Sequence, residues 1–147
     1  MIFQLEKFSN FFDEALPLFK NHHKEVGDYF PDIYFNPDVE SYIKLDEADK
    51  LRVYTVRKSD KLIGYAIHHI FNHLHFSNSK QAVQDAIFIA KEHRGFGKEF
   101  INWIDEQLKS EGVDAVYHYV SVNHDYSNTL CSLGYKKVES TYLRRLH

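Results

Sequence analysis

The sequence predicts a mixed α/β domain with a mostly antiparallel central sheet and helices on both of its faces. Two runs rich in β-branched and aromatic residues, "LRVYTVRK" and "LIGYAIHHIF", flank the turn "SDK" and read as a strand pair. A third run, "QDAIFIA", passes through "KEHRGFGKEF" into the helix-like "INWIDEQLKSEG", which is a strand feeding a helix. The length, 147 residues, fits a single domain over 1–147, and 44% apolar with 16% aromatic residues supplies a core without cross-links.

The elements follow in order. Ser9 or Asn10 can cap a first helix with Asp13 and Glu14 in its opening turn, and Phe12, Leu16, Phe19 and His23 recur at helical spacing. Pro17 is expected to kink or restart it. Asn36 as cap, Pro37 at the first position and Asp38 with Glu40 in the first turn open a second helix. The strand pair comes next, then the His-rich "NHLHFSNSK" and the strand "QAVQDAIFIA". From about Gly97 to Glu111 a helix places Phe100, Ile104 and Leu108 on one stripe, and Gly112 stops it. "AVYHYV" is a further strand, "HDYSNTLCSLG" a short helix ended by Gly134, and "YKKVES" and "TYLRRL" are expected as two closing strands.

Charge and composition exclude several classes. With 18 basic and 21 acidic residues, a net charge of -3, and no basic run beyond Arg144 and Arg145, nucleic acid is not the expected partner. Cys131 stands alone, which rules out an intrachain disulfide and a thiolate zinc cluster and fits a reducing cytoplasm. The opening "MIFQLEKFSNFFDEA" is acidic where a signal peptide would be apolar, and no run reaches the roughly 20 apolar residues of a membrane span. The expectation is a soluble, cytoplasmic chain without repeats or linkers.

The turn "KEHRGFGKEF" raises the question of a ligand. Glycines between a strand end and a helix start leave backbone N–H groups pointing outward together, a seat for phosphate. A G-x-G alone is equally a tight turn where a helix packs close to a strand. Taken with "FGKEFINWIDEQLKSEGV", "NHDYSNTLCSLGYKKVES" and the order of elements, nearly the whole chain resembles the GNAT-type N-acetyltransferases, and in particular small GNAT-like proteins of phage genomes.

That resemblance implies acetyl-CoA as cofactor, its pyrophosphate on the turn, and an amine acceptor. The family signature is Arg or Gln, two residues, Gly, one residue, then Gly or Ala. Aligning Gly95 and Gly97 with its glycines puts Glu92 at the Arg/Gln position. Aligning "KEHRG" with the strand end instead gives Arg94 that position and leaves the loop two residues short, while keeping the strand register. On the second alignment the cradle is Arg94, Gly95, Phe96, Gly97 and Lys98, and the amides of Ile87, Phe88 and Ile89 are candidates for the thioester oxygen. The family's thiolate-protonating Tyr would fall at Leu130, so Tyr126, one turn earlier, is its substitute.

For the base, Asp85 is first: strand alternation puts it with Val83, Ile87 and Ile89, an apolar setting that raises a carboxyl pKa; the alternative is an edge carboxylate bonding a loop. His75, with His73 in "NHLHF", is second, since a similar His-Leu-His stretch lies near the acceptor groove in the related phage-type proteins; no third ligand spacing supports a metal, and a hydrogen-bonded loop histidine is the bland reading. His124 could face the thiol end, while Asp125 serves the last helix's N-terminus. The resemblance implies that Glu25 and Asp28 stand near the acceptor side, where they would suit a cationic small-molecule or protein amine, although such charges often face solvent. Cys131 reads as a small packing residue, and Phe100 and Trp103 as core. Three functions stay open: an N-acetyltransferase acting by direct attack as a monomer or homodimer, a GNAT-fold binding or inhibitory module, and a virion-associated part.

Overall fold

A computed structural model describes residues 1–27 and 29–147. Its centre is a five-stranded sheet in the order β1-β2-β3-β4-β5, with β1 Ile2–Glu6, β2 Leu51–Lys58, β3 Lys61–His73, β4 Phe76–Ile89 and β5 Ala115–Tyr117. The first four strands pair antiparallel and β5 joins β4 in parallel. This is the mixed, mostly antiparallel architecture expected.

Helices cover both faces. On one, α1 (Phe8–Val26) and α2 (Val39–Glu47) bury Phe8, Phe11 and Ala15 against Leu51, Val53, Tyr65, Ile67 and Phe88. On the other, α3 (Gly97–Ser110) sets Phe100, Ile104 and Leu108 against Tyr54, Val56, Ala66 and Ala82, as the stripe required. Trp103 packs its ring on Phe3 and Tyr54 at the margin of this cluster. A short α4 (Ser127–Ser132) follows β5.

Several expectations are corrected. The run before α1 is strand β1, because Phe3 alternates onto the α3 side while Glu6 meets Arg57 and Thr55 of β2. The helix therefore starts at Phe8, ahead of Ser9 and Asn10, and Lys7 is its cap without a side-chain bond. It runs through Pro17, and its buried stripe is Phe8, Phe11 and Ala15, rotated from the one read at Phe12 and Leu16. In α2 the cap is Asp38, not Asn36: the Asp38 carboxylate accepts the Ser41 N–H at 3.0 Å. The β2–β3 turn holds Ser59 and Asp60 at φ 50° and 64°, the twist that a two-residue hairpin demands. "FSNSK" belongs to β4, β5 is shorter than "AVYHYV", and residues 135–147 form no strand. Cys131 is exposed and not a packing residue.

Candidate active site

The site is organised by two irregularities of β4. The first is a bulge: Ile67 pairs with Ala86 and His68 with Gln84, leaving Asp85 as an extra residue. Gln84 and Ile87 keep the α3 side, whereas Asp85, Ala86 and Phe88 all turn to the α1/α2 side. Simple alternation had grouped Asp85 with Ile87 and Ile89; the inserted residue separates them.

The second irregularity is a split. Parallel pairing with β5 ends at Val83 and Tyr117, while β4 continues to Ile89. Beyond it the Tyr119 N–H donates to the Gln84 side-chain oxygen at 3.2 Å instead of to backbone. Ala90 N–H donates to Ile63 O at 2.8 Å, and bonded pairs alternate along an antiparallel ladder. Phe88 therefore spends its amide on β3, and Ile87 and Ile89 direct theirs into the split. Of the three amides considered for the thioester oxygen, Phe88's is not available.

At the end of the split lies the glycine turn: a 3-10 turn at Lys91–His93, Arg94, Gly95 at φ 127°, then α3 starting at Gly97. The first α3 bond is Phe100 N–H to Phe96 O, and no side chain caps the helix, so the preceding amides point outward unpaired within the helix. A Cβ on Gly95 would meet nothing within 4 Å, and one on Gly97 would meet only Ile89 Cδ1 at 4.0 Å. Packing within the protein thus does not require a glycine at 97, while an approaching ligand would. This open, positively polarised cradle fits a pyrophosphate. Phe96 packs on Phe3 and leaves Lys98 exposed beside the turn. Arg94, by contrast, folds back: it donates to Ile89 O at 2.9 Å, pairs with Glu25 at 2.5 Å and covers the Phe88 ring. The Arg94 hydrogen bond holds the Glu25 carboxyl below its usual range. His124 Nδ1 joins the same carboxylate at 3.1 Å, which ties the α1 end, the turn and the α4 approach together.

On the α1/α2 face a cavity of about 420 Å³ opens between the end of α1, the segment 30–37, Tyr42 and β3/β4. Asp85 and Ala86 lie in its wall. The Tyr42 hydroxyl donates to Asp85 Oδ2 at 2.5 Å, and His69 Nε2 lies 3.3 Å from Oδ1. Burial pushes the Asp85 carboxyl up, but the bonds from His69 and Tyr42 together with nearby imidazoles outweigh it, so its pKa sits below the ordinary carboxylate value. The raised pKa expected of Asp85 is overturned: it is an anion near neutrality. His22 Nδ1 lies 2.8 Å from the Tyr65 hydroxyl and its ring stacks on Phe88; burial, with help from His124, brings its pKa down to about 4.

Tyr126 lies beyond the split with its hydroxyl 3.0 Å from His118 Nδ1, and burial raises its pKa. His118 and His68 face each other with ring centres 6.0 Å apart; burial lowers them to about 4 and about 3. Leu130 is buried. Asp125 accepts the Ser127 N–H at 2.9 Å, the helix-end role expected. His75 is corrected: it sits on the β3–β4 hairpin, its N–H bonded to His73 Nδ1 at 3.0 Å, ten residues along β4 from Asp85 and far from the cavity. Asp28 lies outside the described residues. Sequence reasoning missed Tyr42, His69, His22 and His118; Tyr42 and His69 reach Asp85 from other elements, 43 and 16 residues away in the chain, where no local pattern signals the contact. No cluster of His, Cys, Asp or Glu among the described residues could hold a metal, and no described helix is long and apolar enough to cross a membrane.

The acetyltransferase (GNAT) family model matches residues 13–135, and the chain belongs to that family. A ribosomal-protein-alanine N-acetyltransferase from Brucella melitensis biovar Abortus 2308 superimposes with a TM-score of 0.72 at 15% identity, covering 99% of this chain and 100% of that one. A predicted acetyltransferase from Clostridium acetobutylicum, solved with acetyl-CoA, gives 0.73 at 9% identity over 99% and 96%. An aminoglycoside acetyltransferase from an uncultured soil metagenomic sample, in complex with sisomicin, gives 0.71 at 14% identity over 99% and 94%. No curated protein matches the chain significantly.

Proposed function

We propose that this protein moves an acetyl group from acetyl-CoA to a primary amine by direct attack in a ternary complex. The observation that carries the reading is the uncapped start of α3, with open space over Gly95 and Gly97, at the end of the β4/β5 split. Bound acetyl-CoA would supply an activated thioester carbonyl. The amides of Gly95, Phe96, Gly97 and Lys98 would hold its pyrophosphate, with Arg94 joining if it leaves Glu25. Ile87 offers its N–H to the thioester oxygen, with Ile89 N–H next along the split.

Asp85 attracts the acceptor as an ammonium ion and takes its proton, which leaves to solvent, while the bonds from Tyr42 and His69 hold the carboxylate in place. Tyr126 donates its hydroxyl proton to the departing sulfur and His118 Nδ1 orients that hydroxyl. His124 acts through Glu25, fixing the mouth of the split. On this reading the chain works in a cytoplasm, that of a host cell if it is phage-encoded, as a monomer or homodimer.

A second reading, a GNAT-fold binding or inhibitory module, draws on the engagement of Arg94 with Glu25 and on Leu130 at the acid position. Calorimetric titration of the purified chain with acetyl-CoA and then with free CoA separates the two. Micromolar binding of both, together with amine-dependent release of CoA thiol, is expected; a folded chain that binds neither would remove the enzyme reading and leave the module.

A further inference from the structure

The cavity beside Asp85 carries more information than a general amine site. Its walls hold Phe19, Phe30, Tyr34, Phe35, Tyr42 and Tyr65, and Asp85 is the one carboxylate among the described residues that line it, with no Lys or Arg. Two acids flank this region on other faces, but each already has a cation: Glu25 holds Arg94, and Asp32 holds Arg145. Arg145 also lies over the Phe30 ring at 5.3 Å, so the chain's own C-terminal segment occupies that charge. Among the described residues the site therefore offers a single negative point, in its wall.

The rim points the same way. Tyr34 is 88% exposed and Ile33 54%, an apolar lip on segment 30–37 with surface still to be covered. A volume of about 420 Å³ lies in the lower part of the range for small-molecule sites. A polycation would leave its further charges against aromatic walls without counter-ions, which is costly when water is excluded. An amino acid would bring its carboxylate towards Asp85. A monocation on an apolar body satisfies both the carboxylate and the walls.

Building on the acetyltransferase reading, we infer that the acceptor is a small primary monoamine carried on an aromatic or other apolar body, its ammonium on Asp85 and its body against the aromatic wall and the Tyr34 lip. Polyamines, aminoglycosides and amino acids are poor acceptors.

The experiment compares 2-phenylethylamine, ethylamine, spermidine and phenylalanine by kcat/KM for CoA release, alongside direct calorimetry of each amine. 2-Phenylethylamine is expected to exceed each of the others by at least about tenfold. Asp85→Asn should lower its kcat/KM by about 30-fold or more while acetyl-CoA affinity stays the same, since removing one partner of a close charge pair costs 2–5 kcal/mol. Tyr34→Ser, at an exposed position, should narrow the preference for 2-phenylethylamine over ethylamine about threefold and leave spermidine unaffected. Spermidine or phenylalanine equalling 2-phenylethylamine overturns the inference and leaves acetyl transfer standing. If acetyl-CoA does not bind, the acetyltransferase reading falls, and calorimetry of 2-phenylethylamine on wild type and Asp85→Asn still decides this one: equal or absent binding overturns it.

Discussion

Replacing Gly97 with Glu separates what the fold needs from what a ligand needs. A Cβ there meets only Ile89 Cδ1 at 4.0 Å, and Gly97 has no positive φ. The position opens α3, where a non-glycine residue gains up to about 1 kcal/mol in helix propensity and a carboxylate a further 0.3–1 kcal/mol from the helix dipole. The variant should therefore melt at or a few degrees above the wild-type temperature. Binding should move in the opposite direction. A carboxylate in the cradle blocks and repels a pyrophosphate, and the loss of two charge-assisted hydrogen bonds at roughly 1.5–3 kcal/mol each weakens acetyl-CoA by about 100-fold to 10,000-fold. Calorimetry and a thermal melt on the same preparation read both numbers. Undiminished affinity in a folded variant would refute the placement of the pyrophosphate, and a collapsed melt would refute the claim that the protein itself does not need glycine there.

Further outcomes follow from the same geometry. Gly64→Ala should destabilise by about 1–3 kcal/mol in chemical denaturation, because its Cβ would stand 3.0 Å from the Phe88 carbonyl oxygen, which has no rotamer to move to; unchanged stability would mean that β3 and β4 are further apart. Glu25→Gln releases the Arg94 guanidinium, and acetyl-CoA affinity should then rise several-fold with little change in melting; lower affinity would show that Arg94 is best placed where it is. Stability should fall as pH drops from about 6.5 to 4: burial holds His22, His68 and His118 at about 4, 3 and 4, so the unfolded chain binds up to three more protons there. Asp105, raised by burial to about 6, runs the other way, binding its proton first in the folded state. The net slope is up to roughly 2.7 kcal/mol per pH unit, and Asp105→Asn should steepen it; a flat melting temperature from pH 6.5 to 4.5 would contradict the burial of these imidazoles.

The strand pair, the α3 stripe and the glycine turn were legible because each depends on local pattern: alternation, helical spacing, and glycine between strand and helix. Other features depend on partners distant in sequence. β1 reads as a helix approach until Arg57 and Thr55 are seen to need Glu6. Strand pattern singles out Asp85 but not its protonation, because Tyr42 is 43 residues away and joins it only in three dimensions. The motif resemblance points to His75 in the β3–β4 turn, while His69, within β3, is the imidazole that reaches the carboxylate. The closing strands were inferred from β-favouring composition, and residues 135–147 find no ladder to join.

The extra residue in β4 also governs how this gene can tolerate change. Because the bulge resets the two-residue rhythm, straightening the strand without losing a residue would send Phe88 towards α3 and Ile87 and Ile89 towards α1, whereas deleting Asp85 itself would leave all three on their present faces. In the straightened strand the amides of Ile87 and Ile89 would turn to β3 and that of Phe88 into the split. Point substitutions at Asp85 leave that phase intact and change only the chemistry on the cavity wall. The chemistry at the cavity wall can thus change by exchange of single side chains, whereas flattening the bulge would re-aim the backbone amides of the strand.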